Sequence, residues 1–504
     1  MYLCGAVSSR AIGFLVSYNR RVYNFPAMTS LEISPEQFAQ LAQRAAQLAA
    51  QYLQSLDSRS IFPAGGAATV GDLFPAEIPE HGMGEHAFQA VADIFNCSRA
   101  HNGRFFGYVL GSGDPVAAVA DLLASVLNQN VTAWRSAPAA VTVERAVLQV
   151  LAEAIGCKGF SGSLTSGGSS ANLMGLAMAR EAKAPANESG LAGDCRKPVV
   201  YASEEVHMSI PKAIAALGIG RQNLRLIRTD PSFRMIPAEL DASMHRDREA
   251  GYLPVAVVAS AGTVNTGAID PLTEIAEIAR RHGAWLHVDG AYGALAAIAS
   301  PDKFAGLREA DSLSLDPHKW LYQPLDCGCL LFRDAEVAQK TFAHSGDYAR
   351  VLSHDPVEGY AFFEESLELS RRFRALKLWL SLRYHGLAAF RSAIRNDLFH
   401  AQLLAESVRN EPRLELLAPV ELSAVCFRYR GNGAGAEESL NRVNENILRT
   451  LVKRGRIYLS NAVLRGRFCL RACIVNHRTT ERDVQAVVPE VLEAAREVLG
   501  AGFE

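Results

Sequence analysis

The chain has 504 residues, of which 49% are apolar and 21% charged. That composition belongs to a folded globular protein and excludes disordered, collagen-like and disulfide-scaffold chains. Lys and Arg number 51 against 53 Asp and Glu, a net charge of −2, so no basic excess draws the chain to nucleic acid or an anionic membrane surface, and no apolar run of about 18 residues offers a membrane span.

Residues 1–33 read as an N-terminal extension. No Asp or Glu precedes Glu32, while Arg10, Arg20 and Arg21 do, and the apolar run 11–16 is too short for a secretory core. Met28 is an alternative start, and the stretch is expected to be disordered. A helix is predicted from Ser34. Pro35 suits its first position, and Gln37 completes a capping box. Phe38, Leu41, Ala45, Leu48 and Tyr52 then recur at helical spacing as one apolar stripe. Residues 61–84, rich in Pro and Gly, read as a connector. A short helix around 85–95 follows, within an N-terminal helical segment over 34–113.

Residues 114–382 read as a large domain. Its strand candidates are 199–201, 224–227, 255–260, 285–288, 312–315 and 328–332. Their apolar content is continuous rather than alternating, and helical patterns such as 272–281 separate several of them. That signals a mostly parallel sheet covered on both faces, with ligands at the carboxyl ends of its strands. Residues 383–504 read as a smaller α+β C-terminal domain. Strands are predicted at 414–417, 424–429, 457–460 and 468–474, and helices at 437–453 and 480–499. The fold class is therefore α/β. The cysteines read as buried thiols, as in Ala424-Val425-Cys426-Phe427. Cys327-Gly328-Cys329 and Cys469…Cys473 lack the spacing of a zinc ribbon, so no metal is expected.

Four features carry chemistry. Thr165-Ser166-Gly167-Gly168-Ser169-Ser170-Ala171-Asn172 is a Gly-rich turn entering a helix, an anion site suited to phosphate. It is neither a nucleotide P-loop nor a dinucleotide fingerprint. Trp285-Leu286-His287-Val288-Asp289-Gly290-Ala291-Tyr292 ends an apolar strand in a carboxylate that faces the ligand crevice. Asp316-Pro317-His318-Lys319-Trp320 follows another strand, and a partly desolvated lysine there is a competent Schiff-base amine. Glu204-Glu205-Val206-His207 runs from a strand into a helix. A phosphate cradle, an aromatic face, a carboxylate for a pyridine nitrogen and an imine-forming lysine are together what pyridoxal phosphate needs.

In these residues the chain resembles the group II pyridoxal-phosphate-dependent amino-acid decarboxylases, of the aromatic-L-amino-acid and glutamate decarboxylase superfamily. The likeness runs from about residue 104 to about residue 394. Further markers are Phe105-Phe106-Gly107-Tyr108, Ser136-Ala137-Pro138, Asp326-Cys327-Gly328 and Arg371-Arg372-Phe373-Arg374-Ala375-Leu376-Lys377. The resemblance implies a fold-type-I, aminotransferase-like architecture and a cytoplasmic homodimer with active sites at its interface. It places the cofactor imine on Lys319, His207 over one ring face, Asp289 against the pyridine nitrogen and Ala291 beneath the ring. Gly168, Ser169 and His318 would hold the phosphate, and Thr263 would support the cofactor. Asp316 stands where many relatives have Asn, and a carboxylate is a poor neighbour for phosphate.

The resemblance also implies the reaction. The substrate amine displaces Lys319, carbon dioxide leaves, and a loop tyrosine, here Tyr348, returns a proton to the carbanion. Relatives with Phe at that position tend to make aldehydes, so Tyr348 argues for simple decarboxylation to an amine. An aromatic L-amino acid is the expected substrate, with Tyr108 a candidate contact, while Asn130 and Thr132 could hydrogen-bond a polar substrate across the dimer interface. Ala100, Val109 and Thr132 stand where animal aromatic-amino-acid enzymes carry aromatic residues. A polar or acidic amino acid, such as glutamate, aspartate or diaminobutyrate, therefore remains the alternative, beside an aldehyde synthase, a transaminase or a catalytically idle homologue.

Overall fold

The computed structural model describes residues 31–63, 70–71, 87–191, 196–344, 355–431 and 436–500. The expected N-terminal disorder and most of the connector fall outside these residues. The helix Pro35–Ser55 belongs to a unit that ends at Ser55, and a second unit starts at Leu56. Its start is the predicted capping box: Ser34 N donates to Gln37 Oε1 at 2.9 Å, and Gln37 N donates to Ser34 Oγ at 3.2 Å. The short helix predicted around 85–95 is Ala87–Cys97.

Among the described residues of the second unit, seven strands form one sheet: β1 (Ser161–Thr165), β2 (Pro198–Ser203), β3 (Leu224–Ile227), β4 (Leu253–Ser260), β5 (Trp285–Asp289), β6 (Ser312–Leu315) and β7 (Gly328–Phe332). The order is β1-β7-β6-β5-β4-β2-β3. From β6 to β3 every pair is parallel. β7 is antiparallel to both β6 and β1. Successive residues of β2 alternate between two apolar layers, which is why its sequence reads as one continuous apolar run. Val199 and Tyr201 belong to the same buried cluster as Leu272 and Ile275 of the helix Leu272–His282, while Val200 and Ala202 belong to that of Ala171 and Met174 of the helix Gly168–Lys183.

A second, antiparallel sheet has the order β10-β11-β9-β8. Its strands are β8 (Leu414–Leu416), β9 (Ala424–Tyr429), β10 (Ser460–Leu464) and β11 (Arg467–Cys473). Its core is shared with the helices Glu437–Arg454, Val487–Gly500 and the C-terminal half of Ala375–Arg409.

Three local readings need correction. β1 was not anticipated, because Ser161-Gly162-Ser163 is small and polar rather than apolar. A Cβ on Gly162 would lie 2.4 Å from Leu330 O, so the close approach of β7 excludes a larger residue. The strand expected at 457–460 begins instead at Ser460. Ile457 and Leu459 are apolar because they are buried in the small core. The hairpin is set by Arg465 and Gly466, at φ 50° and 81°, the two left-handed positions of a tight β-turn. The helix expected over 480–499 is two, Glu481–Gln485 and Val487–Gly500, the first with a capping box at Thr480 and Asp483.

The helix Ala375–Arg409 carries a buried carboxyl group, Asp397. It accepts from Tyr322 Oη at 2.8 Å and from Asn476 N at 3.1 Å. Burial pushes its pKa up to about 8, against these two hydrogen bonds. The folded value exceeds the unfolded one of about 4. The contribution to stability is therefore full below about pH 4 and is lost as pH rises towards 8. Asp397→Asn is expected to lack this dependence. Thermal unfolding of both proteins at about pH 5 and pH 8 checks it: the wild type should lose ground to the variant at the higher pH.

Candidate active site

At the carboxyl ends of β4, β5 and β6 lies a cavity of about 300 Å3, the expected place for a ligand in such a sheet. Each strand delivers one part. β5 ends in Asp289, and the turn after it carries Ala291. β6 is followed directly by Asp316 and the short helix Pro317–Trp320, which holds His318 and Lys319. Beyond β4, Gly262 at φ 108° turns the chain so that Thr263 faces the cavity. β1 leads through Gly167 into the helix Gly168–Lys183.

No side chain caps that helix, so its first-turn N–H groups remain available to an anion. Only glycine suits position 168: a Cβ there would lie 2.7 Å from Ala291 Cβ and 3.0 Å from Asp316 Oδ2. Lys319 Nζ sits 2.8 Å from Asp316 Oδ2. His318 accepts the Cys327 N–H at its Nδ1, at 3.3 Å, which leaves the proton on Nε2. Asp289 is held by three donors: Asn172 Nδ2 at 3.0 Å, Ser314 Oγ at 3.0 Å and Ala291 N at 3.2 Å. Burial lowers the pKa of His207, although Asp289 opposes the shift, and burial likewise lowers that of His318. Both rings are neutral at pH 7.

Gly168, Ser169, His207, Thr263, Asp289, Ala291, Asp316, His318 and Lys319 thus all line one cavity. Tyr108, Asn130 and Thr132 do not line it. Tyr108 accepts from Arg99 Nη1 at 3.0 Å and rests near the Tyr458 ring, while its neighbour Val109 reaches the cavity. Asn130 Oδ1 is committed to the Arg371 N–H at 2.8 Å. Thr132 meets Phe363 through its backbone. Tyr348 lies outside the described residues.

Asn172 and Glu205 are among the lining residues to which the sequence alone assigns no role. Asn172 was quoted only as the end of the Gly-rich turn. Glu205, next to the exposed Glu204, was passed over for His207. Its carboxyl accepts from Asn265 Nδ2 at 3.0 Å, and burial raises its pKa.

Pyridoxal phosphate asks a protein for an amine, an acceptor beside its ring nitrogen and a cradle for its phosphate. The residues around this cavity meet all three demands, in a fold shared with pyridoxal-phosphate enzymes. The class is thus a fold-type-I, pyridoxal-phosphate-dependent enzyme. More narrowly, the chain belongs to the pyridoxal-dependent decarboxylases, whose conserved domain matches residues 72–430. It is 34% identical to the aromatic-L-amino-acid decarboxylase of Bacillus atrophaeus, over 93% of this chain and 98% of that one. It is 31% identical to the phenylacetaldehyde synthase of Petunia hybrida, over 76% and 79% of the two chains. The crystal structure of Oryza sativa TDC with PLP and tryptamine superposes with a TM-score of 0.87 at 28% identity, covering 93% of this chain and 99% of that one. The chain is a pyridoxal-phosphate-dependent amino-acid decarboxylase. Among the described residues no helix is long and apolar enough to cross a membrane.

Proposed function

We propose that this decarboxylase converts an aromatic L-amino acid to its amine and carbon dioxide, as a homodimer in the cytoplasm. The observation that carries the reading is the meeting of Lys319, Asp289 and His207 at one cavity. The substrate class is supported by the Bacillus atrophaeus relative and by the tryptamine bound in the rice structure. The free, mostly buried thiols among the described residues suit a reducing compartment.

Pyridoxal phosphate, when bound, supplies an aldehyde that exchanges between amines and a conjugated ring that takes up the electrons left by a departing carboxylate. Lys319 presents its amine to the cavity. Asp289, fixed by three donors, offers an acceptor to the ring nitrogen. His207 would lie against one face of the ring, and Ala291 is small enough to leave room at the other. The N–H groups of Gly168 and Ser169 would hold the phosphate together with His318, and Thr263 would support the cofactor. Asp316 is an acceptor committed to Lys319, so it orients the amine rather than binding phosphate. Tyr348 Oη delivers the proton to the substrate Cα.

The helix Pro115–Leu127 supports the dimer. Val119, Leu122, Leu123, Val126 and Leu127 on it are exposed, an apolar face that calls for cover. Asn130 and Thr132 follow directly and would serve the second copy's cavity, with Tyr108 at its rim. The Petunia hybrida relative supports a second reading, in which the product is an aldehyde.

The test is the purified protein with pyridoxal phosphate and a panel of L-amino acids, with carbon dioxide trapped and amine measured. Carbon dioxide and amine in equal amounts are expected from an aromatic substrate. Turnover confined to glutamate, aspartate or diaminobutyrate overturns the substrate class. Stoichiometric peroxide and ammonia in place of amine establish the aldehyde route. Tyr348→Phe is expected to shift the product from amine towards aldehyde.

A further inference from the structure

From the cavity wall inwards, one line of hydrogen bonds joins His207, Ser209, Asn172, His287, Ser312 and Trp285. We infer that Asn172 is a positioning residue, which fixes both the carboxyl group of Asp289 and the proton-bearing nitrogen of His207. The inference rests on the roles proposed above for Asp289 and His207.

The direction of each bond follows from counting hydrogens. Asn172 Nδ2 has two, and it meets two oxygens: Asp289 Oδ2 at 3.0 Å and Ser209 Oγ at 2.9 Å. The reversed amide would set an oxygen against the Asp289 carboxyl oxygen, acceptor against acceptor, so the orientation is fixed. Asn172 Oδ1 therefore accepts from His287 Nε2, at 2.9 Å. His287 is fully buried, and burial lowers its pKa to about 4. It carries one proton at pH 7, and that proton is on Nε2. His287 Nδ1 then accepts from Ser312 Oγ at 2.8 Å, and Ser312 Oγ accepts the Trp285 Nε1–H at 2.8 Å.

The other end is equally determined. Ser209 N–H donates to His207 Nδ1 at 3.2 Å, so that nitrogen is an acceptor, and Ser209 Oγ, which accepts from Asn172, turns its own hydrogen to it at 2.8 Å. Two donors on Nδ1 place the proton of neutral His207 on Nε2. One amide thus sets the hydrogen-bonding state of the ring-face histidine and one edge of the carboxyl group that faces the ring nitrogen. Asn172 is 1% exposed and Ser209 3%, so water does not compete for these bonds. One helical turn after Asn172, Gly175 leaves the space that His287 fills. A Cβ there would lie 2.6 Å from both His287 Cε1 and Nδ1. Gly175→Ala therefore crowds His287, with Ser312 Oγ next at 3.1 Å, while Asn172, Asp289 and His207 keep their side chains.

The first test needs no variant. In protein labelled with 15N-histidine and free of cofactor, with resonances assigned against His207→Gln and His287→Gln, both rings are expected to carry the proton on Nε2. A proton on Nδ1 of either overturns the inference. The second test uses Asn172→Ala and Gly175→Ala, loaded with pyridoxal phosphate. In Asn172→Ala, kcat is expected to fall on the order of tenfold or more, the scale of one lost hydrogen bond to a charged acceptor, with KM nearly unchanged. The pH midpoint of the bound cofactor's visible band is expected to shift in both variants. A fall in kcat with that midpoint at its wild-type position in both assigns Asn172 to packing alone and overturns the proposal. Asp289→Asn separates the two levels: if it leaves the band and cofactor affinity unchanged, the underlying role of Asp289 fails, whatever Asn172 does.

Discussion

Lys319→Ala is expected to lower kcat by about three orders of magnitude or more, equivalent to at least about 4 kcal/mol of transition-state stabilisation. Among the described residues its amine is the one primary amine that lines the cavity, and Asp316 holds it there at 2.8 Å. The backbone of the turn is tied elsewhere: Gly111 N donates to His318 O, His318 N to Cys327 O and Tyr322 N to Lys319 O. Shortening the side chain leaves these bonds in place, so the loss is expected in the chemistry rather than in the fold. Borohydride reduction of the loaded wild type is expected to fix the cofactor covalently on Lys319. The alanine variant should bind pyridoxal phosphate without retaining it after reduction and denaturation. Amine formation at the wild-type rate by Lys319→Ala would remove this lysine from the reaction.

Much of this site was legible because its parts stand at strand ends. Asp289 closes β5 and Asp316 follows β6, and continuous apolar runs mark both strands in the sequence. The Gly-rich turn was visible for its composition, although β1 before it was not, since Ser161-Gly162-Ser163 has no apolar pattern. What escaped notice was whatever depends on contacts remote in sequence. Asn172 meets Ser209 across 37 positions and Asp289 across 117, and nothing local announces either bond. Tyr108, Asn130 and Thr132 are expected substrate contacts, but within one chain Tyr108 Oη meets Arg99, Asn130 Oδ1 accepts the Arg371 N–H and the Thr132 carbonyl accepts the Phe363 N–H. Residues 371–377 were read only as a family marker. The structure gives their cations specific work: Arg372 pairs with Asp121 and Asp326, Arg374 with Asp326 and Glu368, and the fully buried Lys377 with Asp121.

The first cation of that segment supports the largest expected effect on stability. Arg371 is 1% exposed at its side chain, and its partner Glu144 is 0% exposed. The guanidinium donates to Glu144 Oε1, to Val131 O at 2.6 Å and to Leu164 O at 3.1 Å, with the Phe362 ring 4.2 Å away. Glu144 Oε1 also accepts the Leu164 N–H at 2.9 Å. Arg371→Met would leave a buried carboxyl group without its cation, and two carbonyl oxygens without a donor. The cost is expected to be about 3–5 kcal/mol, read as a lowered unfolding midpoint of the cofactor-free protein. Arg371→Lys keeps the charge but not the fork that reaches three acceptors at once, so it should fall between the two. Adding Glu144→Met to Arg371→Met removes the stranded acid and should recover part of the loss, which identifies the isolated charge, rather than lost packing, as its source. Leu164 lies in β1, three residues before Gly167 and the helix start that cradles the phosphate. Loosening this anchor should therefore also speed cofactor release. Cofactor dissociation at the wild-type rate in Arg371→Met would show that β1 holds the cradle without it.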